Sequence, residues 1–286
     1  MTKASHIVTM PDQWTSSVVF ASPHSGKAYP SSLMRRTVLD ELAIRSSEDA
    51  FVDQLVGDAP RFGAPLLCAQ APRAYVDLNR AVDELDPALI EGIPKVSHNP
   101  RIASGLGVIP RVVSNGRSIY SGKLTVQEAK SRLDAVWKPY HSALQGLLKQ
   151  CQETFGQAIL IDMHSMPHEA IDALGRSAQR RPQVVLGDRF GAAADAQIVD
   201  QVEAAFQAAG LRVARNSPFA GAYITQAYGR PSRRQHAVQI EIDRALYMDE
   251  KSVTPLDSFD SFRELMTGVI ADLAKIGASK LPMAAE

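Results

Sequence analysis

The chain has 286 residues, 45% hydrophobic and 22% charged. These proportions exclude collagen-like, mucin-like and wholly disordered chains. Thirty-one Lys and Arg balance 31 Asp and Glu, so nothing favours a polyanion and no nucleic-acid partner is expected. Cys68 and Cys151 lie far apart with no Cys-x-x-Cys spacing, which argues against a thiolate zinc cluster and a secreted disulfide scaffold. Residues 1–10 lack a charged stretch followed by an apolar one, and no apolar run approaches about 18 residues. The expectation is a cytoplasmic protein with no membrane partner.

Ser17-Val18-Val19-Phe20-Ala21-Ser22 is a short apolar run stopped by Pro23, read as a buried strand entering a loop. Residues 48–61 carry Phe51, Val52, Leu55 and Val56 at helical spacing, with Ser47 as the expected N-cap. Residues 64–69 and 74–78 read as two further strands. Residues 81–122 hold four prolines and five glycines; with Val108-Ile109 and Val112-Val113 they are expected to form a packed, loop-rich insertion. Residues 124–155 form an apolar stripe of helical period that Pro139 should kink or divide.

Residues 158–162 read as another buried strand, and 165–182 as a polar, mobile stretch. Next come a strand at 184–187, a helix at 192–209 ended by Gly210, strands at 212–215 and 237–242, and a closing helix at 257–276. Strands alternating with helices around continuous apolar runs indicate a layered α/β fold. No linker divides the chain, so one domain over residues 1–286 is expected.

His24 and His164 each follow a buried strand, in Ser22-Pro23-His24-Ser25-Gly26 and Asp162-Met163-His164-Ser165. Sites in open α/β sheets lie beyond the carboxyl ends of strands, so the two imidazoles can converge on one metal. A catalytic zinc takes about three protein ligands and leaves one position open. With no suitable cysteine the third ligand should be a carboxylate. Glu48-Asp49 supplies candidates, although both acids could instead serve a helix N-terminus.

Asp77-Leu78-Asn79-Arg80, preceded by Arg73, offers guanidinium and amide donors suited to a carboxylate or carbonyl oxygen, or else a surface arginine beside an Asn turn. Glu241 sits between two isoleucines in Gln239-Ile240-Glu241-Ile242. Desolvation there raises a carboxyl pKa, as a general base working near neutrality requires; a buried ion pair with Arg244 or Arg80 is the competing account. No Gly-x-Ser-x-Gly elbow or dinucleotide fingerprint is present. His141 reads as a packing residue and His236 has no assignment.

Taken in order, Ser22-Pro23-His24-Ser25-Gly26, Ser47-Glu48-Asp49-Ala50-Phe51, Arg73-Ala74-Tyr75-Val76-Asp77-Leu78-Asn79-Arg80, Trp137-Lys138-Pro139-Tyr140-His141, Asp162-Met163-His164-Ser165, Tyr228-Gly229-Arg230-Pro231 and Gln239-Ile240-Glu241-Ile242-Asp243-Arg244 resemble the N-formylglutamate amidohydrolase family over roughly residues 16 to 250. The resemblance implies a three-layer αβα sandwich around a mixed central sheet, similar to the zinc carboxypeptidases and the aspartoacylase and succinylglutamate desuccinylase group.

It further implies hydrolysis of an N-formyl or other N-acyl amino acid, in amino-acid catabolism such as histidine degradation, with one Zn²⁺ per chain. In those fold relatives a His-x-x-Glu pair supplies two ligands. Here Lys27 follows His24 at that spacing, so the implied metal set is His24, Asp49 and His164, with Asp49 preferred over Glu48 and Asp53. Glu241 resembles the general base, and Arg73 or Arg80 would face the oxyanion. Asn79 and Arg80 would anchor a substrate carboxylate, with Tyr223 and Arg230 in the pocket wall. Gln226 departs from the Arg and His that many members carry around Thr225-Gln226-Ala227-Tyr228. The residues leave open the acyl group, the metal, a homo-oligomer, and a catalytically silent binding protein of the same fold.

Overall fold

A computed structural model describes residues 4–94, 99–113, 115–172 and 181–276. Seven strands form one sheet: β1 (His6–Thr9), β2 (Val18–Ser22), β3 (Leu66–Ala69), β4 (Ala158–Met166), β5 (Val184–Gly187), β6 (Val213–Arg215) and β7 (Gln235–Asp243). Their spatial order is β1-β3-β2-β4-β7-β5-β6. The central strands β3, β2, β4 and β7 run parallel, β1 is antiparallel to β3, and β5 is antiparallel to β7. The sheet is therefore mixed, as expected.

Side chains alternate across the sheet because successive Cβ atoms point to opposite faces. Val18, Phe20, Ile159 and Ile161 join one core with α3 (Ala196–Ala208) and α5 (Phe259–Ile276). Val19, Ala21 and Leu160 join the other with α2 (Lys138–Phe155) and the buried Val108 and Ile109 of the 81–122 region. Both faces are covered, which explains continuous apolar strands rather than alternating ones. This is a three-layer αβα sandwich. Cys68 and Cys151 are buried free thiols, and no helix among the described residues is long and apolar enough to cross a membrane.

Several local expectations are corrected. The helix expected at 48–61 is a short one at Val52–Leu55 followed by a 3₁₀ turn at Ala59–Phe62. Its N-cap is Phe51, not Ser47, in the left-handed region at φ 67°. The expected strand at 74–78 is a series of turns; the Asp77 side chain accepts from the Asn79 amide (2.9 Å) and the Asp77 amide bonds the Val108 carbonyl (2.8 Å). An aspartate closing on the backbone two residues ahead favours a turn over a ladder.

The helix at 124–155 is divided into α1 (Val126–Arg132), a π-turn at Leu133–Trp137 and α2. β4 extends past residue 162 to carry His164, and residues 168–172 are a short helix; residues 173–180 of the stretch expected to be mobile lie outside the described residues. A further helix, α4 (Tyr223–Tyr228), precedes β7. The other expected strands and helices are present with shifts of a few residues at their ends.

Candidate active site

The parallel strands β2, β4 and β7 bring their carboxyl ends to one edge. The chain leaving β2 carries His24, with Gly26 two residues on. A Cβ on Gly26 would stand 2.2 Å from the Ala71 carbonyl oxygen, so only glycine allows this loop to pack against the end of β3. His164 lies near the end of β4, in register with Glu241 on β7. Asp49 reaches the same point because Phe51 turns the backbone left-handed, leaving Asp49 ahead of the short helix; its amide also bonds the His24 carbonyl (3.0 Å).

His24, Asp49 and His164 are buried and converge. His164 Nδ1 lies 3.1 Å from His24 Nδ1 and 3.0 Å from Asp49 Oδ2, and His24 Nδ1 lies 3.4 Å from that oxygen. The far side of each ring meets a carboxylate. His24 Nε2 donates to Asp77 Oδ1 (2.8 Å), and His164 Nε2 stands 3.0 Å from Asp162 Oδ2, at the distance but not the angle of a hydrogen bond. Metal ligation through Nδ1 would place the remaining proton of each ring on Nε2, beside these carboxylates.

Three buried ligand atoms converging on one point are suited to a cation. Ligand atoms about 2.0–2.1 Å from a tetrahedral zinc stand about 3.3 Å from one another, which the observed edges of 3.0, 3.1 and 3.4 Å approximate. The donor set fits Zn²⁺ in ligand type, spacing and the carboxylates behind both imidazoles. Arg244 donates to Asp49 Oδ1 (3.0 Å) and fixes which oxygen turns inward.

Glu48 is a poor alternative ligand. Its carboxylate accepts from the Tyr29 hydroxyl (2.6 Å) and Arg45 Nε (3.1 Å). Asp53 stands in the short helix outside the cluster.

Charge coupling is strong in this buried cluster. Burial alone would raise the Asp49 carboxyl, but hydrogen bonds and charges from His164 and His24 hold it well below the usual range. Burial would lower His164, but Asp162, Asp49 and Glu241 outweigh it and hold the imidazole well above its ordinary value. Glu241 is pushed up to about 7, chiefly by burial; His164 pulls it down and Asp49 pushes it further up. Gln239 Nε2 donates to Glu241 Oε1 (2.8 Å); no bond to Oε2 is made among the described residues. The competing account, an ion pair of Glu241 with Arg244 or Arg80, is not what forms: Arg244 pairs with Asp49.

The triad and Glu241 open into an inner cavity of about 290 Å³ that Arg73, Asn79, Arg80, Gln239 and Arg244 also line. Arg73 Nε donates to Asp77 Oδ2 (3.0 Å), which leaves its terminal nitrogens for the cavity. Arg80 spends Nε on the Leu106 carbonyl (2.9 Å) and Nη1 on the Asn79 carbonyl (3.0 Å). Asn79 Oδ1 accepts from the Ile224 amide (2.8 Å), and its Nδ2 lies 3.3 Å from both Gln239 Oε1 and His164 Nε2.

Tyr223 and Arg230 do not line this inner cavity. With Gln226 they line an adjoining one of about 870 Å³, and Arg230 Nη1 is turned onto the Gln226 and Gly229 carbonyls (2.7 and 2.6 Å). Arg101 lines both cavities, and its guanidinium makes no hydrogen bond among the described residues. Sequence reasoning missed Arg101, which sits in a region without periodicity. It also missed Gln239 and the role of Arg244; their neighbour Glu241 was the only signal.

Comparison with known proteins gives one answer. The model of the N-formylglutamate amidohydrolase family matches residues 16–248. The N-formylglutamate deformylase of Pseudomonas aeruginosa is 30% identical over 242 residues, 82% of this chain and 83% of that one. The Pseudomonas putida deformylase is 29% identical over 240 residues, 82% of each chain. A crystal structure of N-formylglutamate amidohydrolase from Ralstonia eutropha JMP134 is similar with a TM-score of 0.89 and 34% identity, covering 96% of this chain and 98% of that one.

Proposed function

The chain belongs to the N-formylglutamate amidohydrolase family and is an amidohydrolase; from that premise we propose that it cleaves the amide bond of N-formylglutamate, releasing formate and glutamate, with Zn²⁺ held by His24, Asp49 and His164. The observation that carries this reading is the convergence of three buried ligand atoms 3.0–3.4 Å apart beside the Glu241 carboxyl, which burial pushes up to about 7. Bound there, zinc would supply positive charge beside the formyl oxygen and a lowered pKa for water.

The chain's own groups do the rest. Glu241 accepts a proton from the attacking water through Oε2, the oxygen that Gln239 leaves free. Water oxygen bonds to the formyl carbon, the C–N bond breaks, and Glu241 returns the proton to the leaving nitrogen. A carboxyl with a pKa near the working pH can both take and give that proton. The terminal nitrogens of Arg73 stabilise the oxyanion as it develops.

Arg80 receives the substrate α-carboxylate, with Asn79 setting the floor beside it. Arg101, whose guanidinium makes no hydrogen bond among the described residues, stands at the junction of the two cavities and receives the side-chain carboxylate. Tyr223 and Arg230 border the outer volume.

The test is direct. The chain is stripped with a chelator, divided, and half reloaded with Zn²⁺. Formate release is measured from N-formyl-, N-acetyl- and N-succinyl-L-glutamate. Zinc-dependent formate release from the first is expected. No formate from the zinc-loaded chain would overturn the reading, and turnover of an N-acetyl or N-succinyl substrate alone would replace the acyl group.

A further inference from the structure

The segment that presents Asn79 and Arg80 has no strand or helix to hold it, yet its three successive carbonyls are all engaged. The Leu78 carbonyl accepts from His141 Nε2 (2.9 Å), the Asn79 carbonyl from Arg80 Nη1 (3.0 Å), and the Arg80 carbonyl from Trp137 Nε1 (2.9 Å). Two of the three donors come from one neighbouring helix. Trp137 and His141 are four residues apart, so they share a helical face, and their rings lie 4.0 Å apart at 35°.

The helix is built to deliver that face. Pro139 has no N–H and would crowd the carbonyl four residues before it in a regular helix. The chain answers with the π-turn at Leu133–Trp137. One residue added to a turn rotates the helix beyond it by roughly 100° relative to α1, and Trp137 and His141 stand at the exit of that turn.

The histidine is set in one tautomer. A carbonyl can only accept, so Nε2 carries the proton, and Nδ1 therefore accepts from the Tyr228 hydroxyl (2.9 Å). Burial takes the His141 pKa down to about 4. Tyr228 ends α4, and the Ile224 amide of that same helix donates to Asn79 Oδ1 (2.8 Å). Thus the last residue of the π-turn and the first turn of α2 grip the backbone on both sides of Asn79, while α4 grips the Asn79 side chain and orients the grip.

We propose that Trp137 and His141, with Tyr228 behind His141, are positioning residues that fix the Leu78 and Arg80 carbonyls and so aim the Asn79 carboxamide and the Arg80 guanidinium at the substrate. This rests on the reading of residues 79–80 as substrate-holding. None of the three lines the inner cavity, so their effect passes through the segment they hold.

The experiment uses Trp137→Phe, which keeps an aromatic ring and deletes the Nε1 donor, and Tyr228→Phe, which removes the hydroxyl that sets the tautomer. Both are compared with the parent for zinc content, kcat and KM on N-formylglutamate, and amide hydrogen exchange of residues 76–82. Each variant is expected to raise KM by about tenfold with kcat within about twofold, as for a lost ground-state positioning contact. Zinc content should hold, and exchange should quicken in residues 76–82 but not in β2 or β4.

His141→Gln, whose amide can still donate to the Leu78 carbonyl, should keep a lower KM than His141→Leu. Unchanged KM and exchange in both phenylalanine variants would overturn the proposal, as would a fall in kcat at constant KM. Should Trp137→Phe fail to fold, Tyr228→Phe carries the comparison. If the parent turns over no N-formyl amino acid, the proposed reaction fails, while hydrogen exchange still decides whether these residues hold the segment.

Discussion

His24 and His164, 140 residues apart in sequence, meet through their Nδ1 atoms at 3.1 Å, each with a carboxylate behind its other nitrogen. Two Nδ1 atoms and an Asp49 oxygen standing 3.0–3.4 Å apart in a dry site form a ligand set suited to a cation. His24→Ala, Asp49→Ala and His164→Ala should each lower bound zinc by more than about tenfold at equal zinc supply, since losing even a group that only orients a ligand costs about 10–100-fold in affinity. Glu48→Gln should keep its zinc, because that carboxylate is held by Tyr29 and Arg45. Metal analysis after gel filtration decides it; retention in Asp49→Ala with loss in Glu48→Gln would transfer the ligand role by one residue.

Glu241→Gln should retain zinc and cut kcat by about 10²-fold or more, the lower end of what a positioned general base contributes. The pH profile supplies a second check. The folded carboxyl is raised to about 7, so its protonated form builds up as pH falls and the base is lost on the acid side. The acid limb of kcat/KM should lie at or below about 7, moved lower by bound Zn²⁺. The residual rate of Glu241→Gln should lack that limb.

Arg80→Lys keeps the charge and loses the planar fork, so KM should rise for any substrate with a free α-carboxylate. Arg101→Ala should instead discriminate between side chains. It should raise KM for N-formylglutamate by about tenfold or more while leaving N-formylglutamine within about twofold, as for a charge-assisted hydrogen bond lost to one substrate alone. Equal effects on both substrates would remove Arg101 from the side-chain site.

His141 makes stability sensitive to acid. Its folded pKa of about 4 lies below the ordinary 6.5, so between those values the unfolded chain binds more protons at this residue. Stability therefore rises with pH across that window and is lost as pH falls from 6.5 toward 4, with a slope of at most about 1.4 kcal/mol per pH unit. His141→Gln should flatten the dependence between pH 6.5 and 5, measured by urea unfolding. An unchanged slope would show that the imidazole is not held neutral.

Gly26→Ala tests the loop that carries His24. The added Cβ would meet the Ala71 backbone oxygen at 2.2 Å, and backbone cannot yield as a flexible side chain can. A loss of about 1–3 kcal/mol is expected, together with weaker zinc binding. Full stability with normal zinc content would mean that the loop shifts freely.

Much of the fold and the main chemical groups were legible in local pattern. Continuous apolar runs such as Val18-Val19-Phe20-Ala21 and Ala158-Ile159-Leu160-Ile161 mark strands covered on both faces. Histidines placed after such runs, and a carboxyl between Ile240 and Ile242, name those groups because strand ends and desolvation are local properties. The meeting of His24 with His164 follows from their strand ends, but the other partners distant in the chain were settled by packing.

Thus Arg244 pairs with Asp49, 195 residues away, although Glu241 lies nearer in sequence. Residues 74–78 have the apolar content of a strand, but Asp77 closes a turn and its amide bonds Val108. The left-handed Phe51 swings Asp49 out of a helix that periodicity favours. Arg101 reaches both cavities from a region with no period to read. Period and burial are written residue by residue. Hydrogen bonds and ion pairs across the fold depend on which distant groups the packed layers bring within about 3 Å, and that is settled only when the layers close.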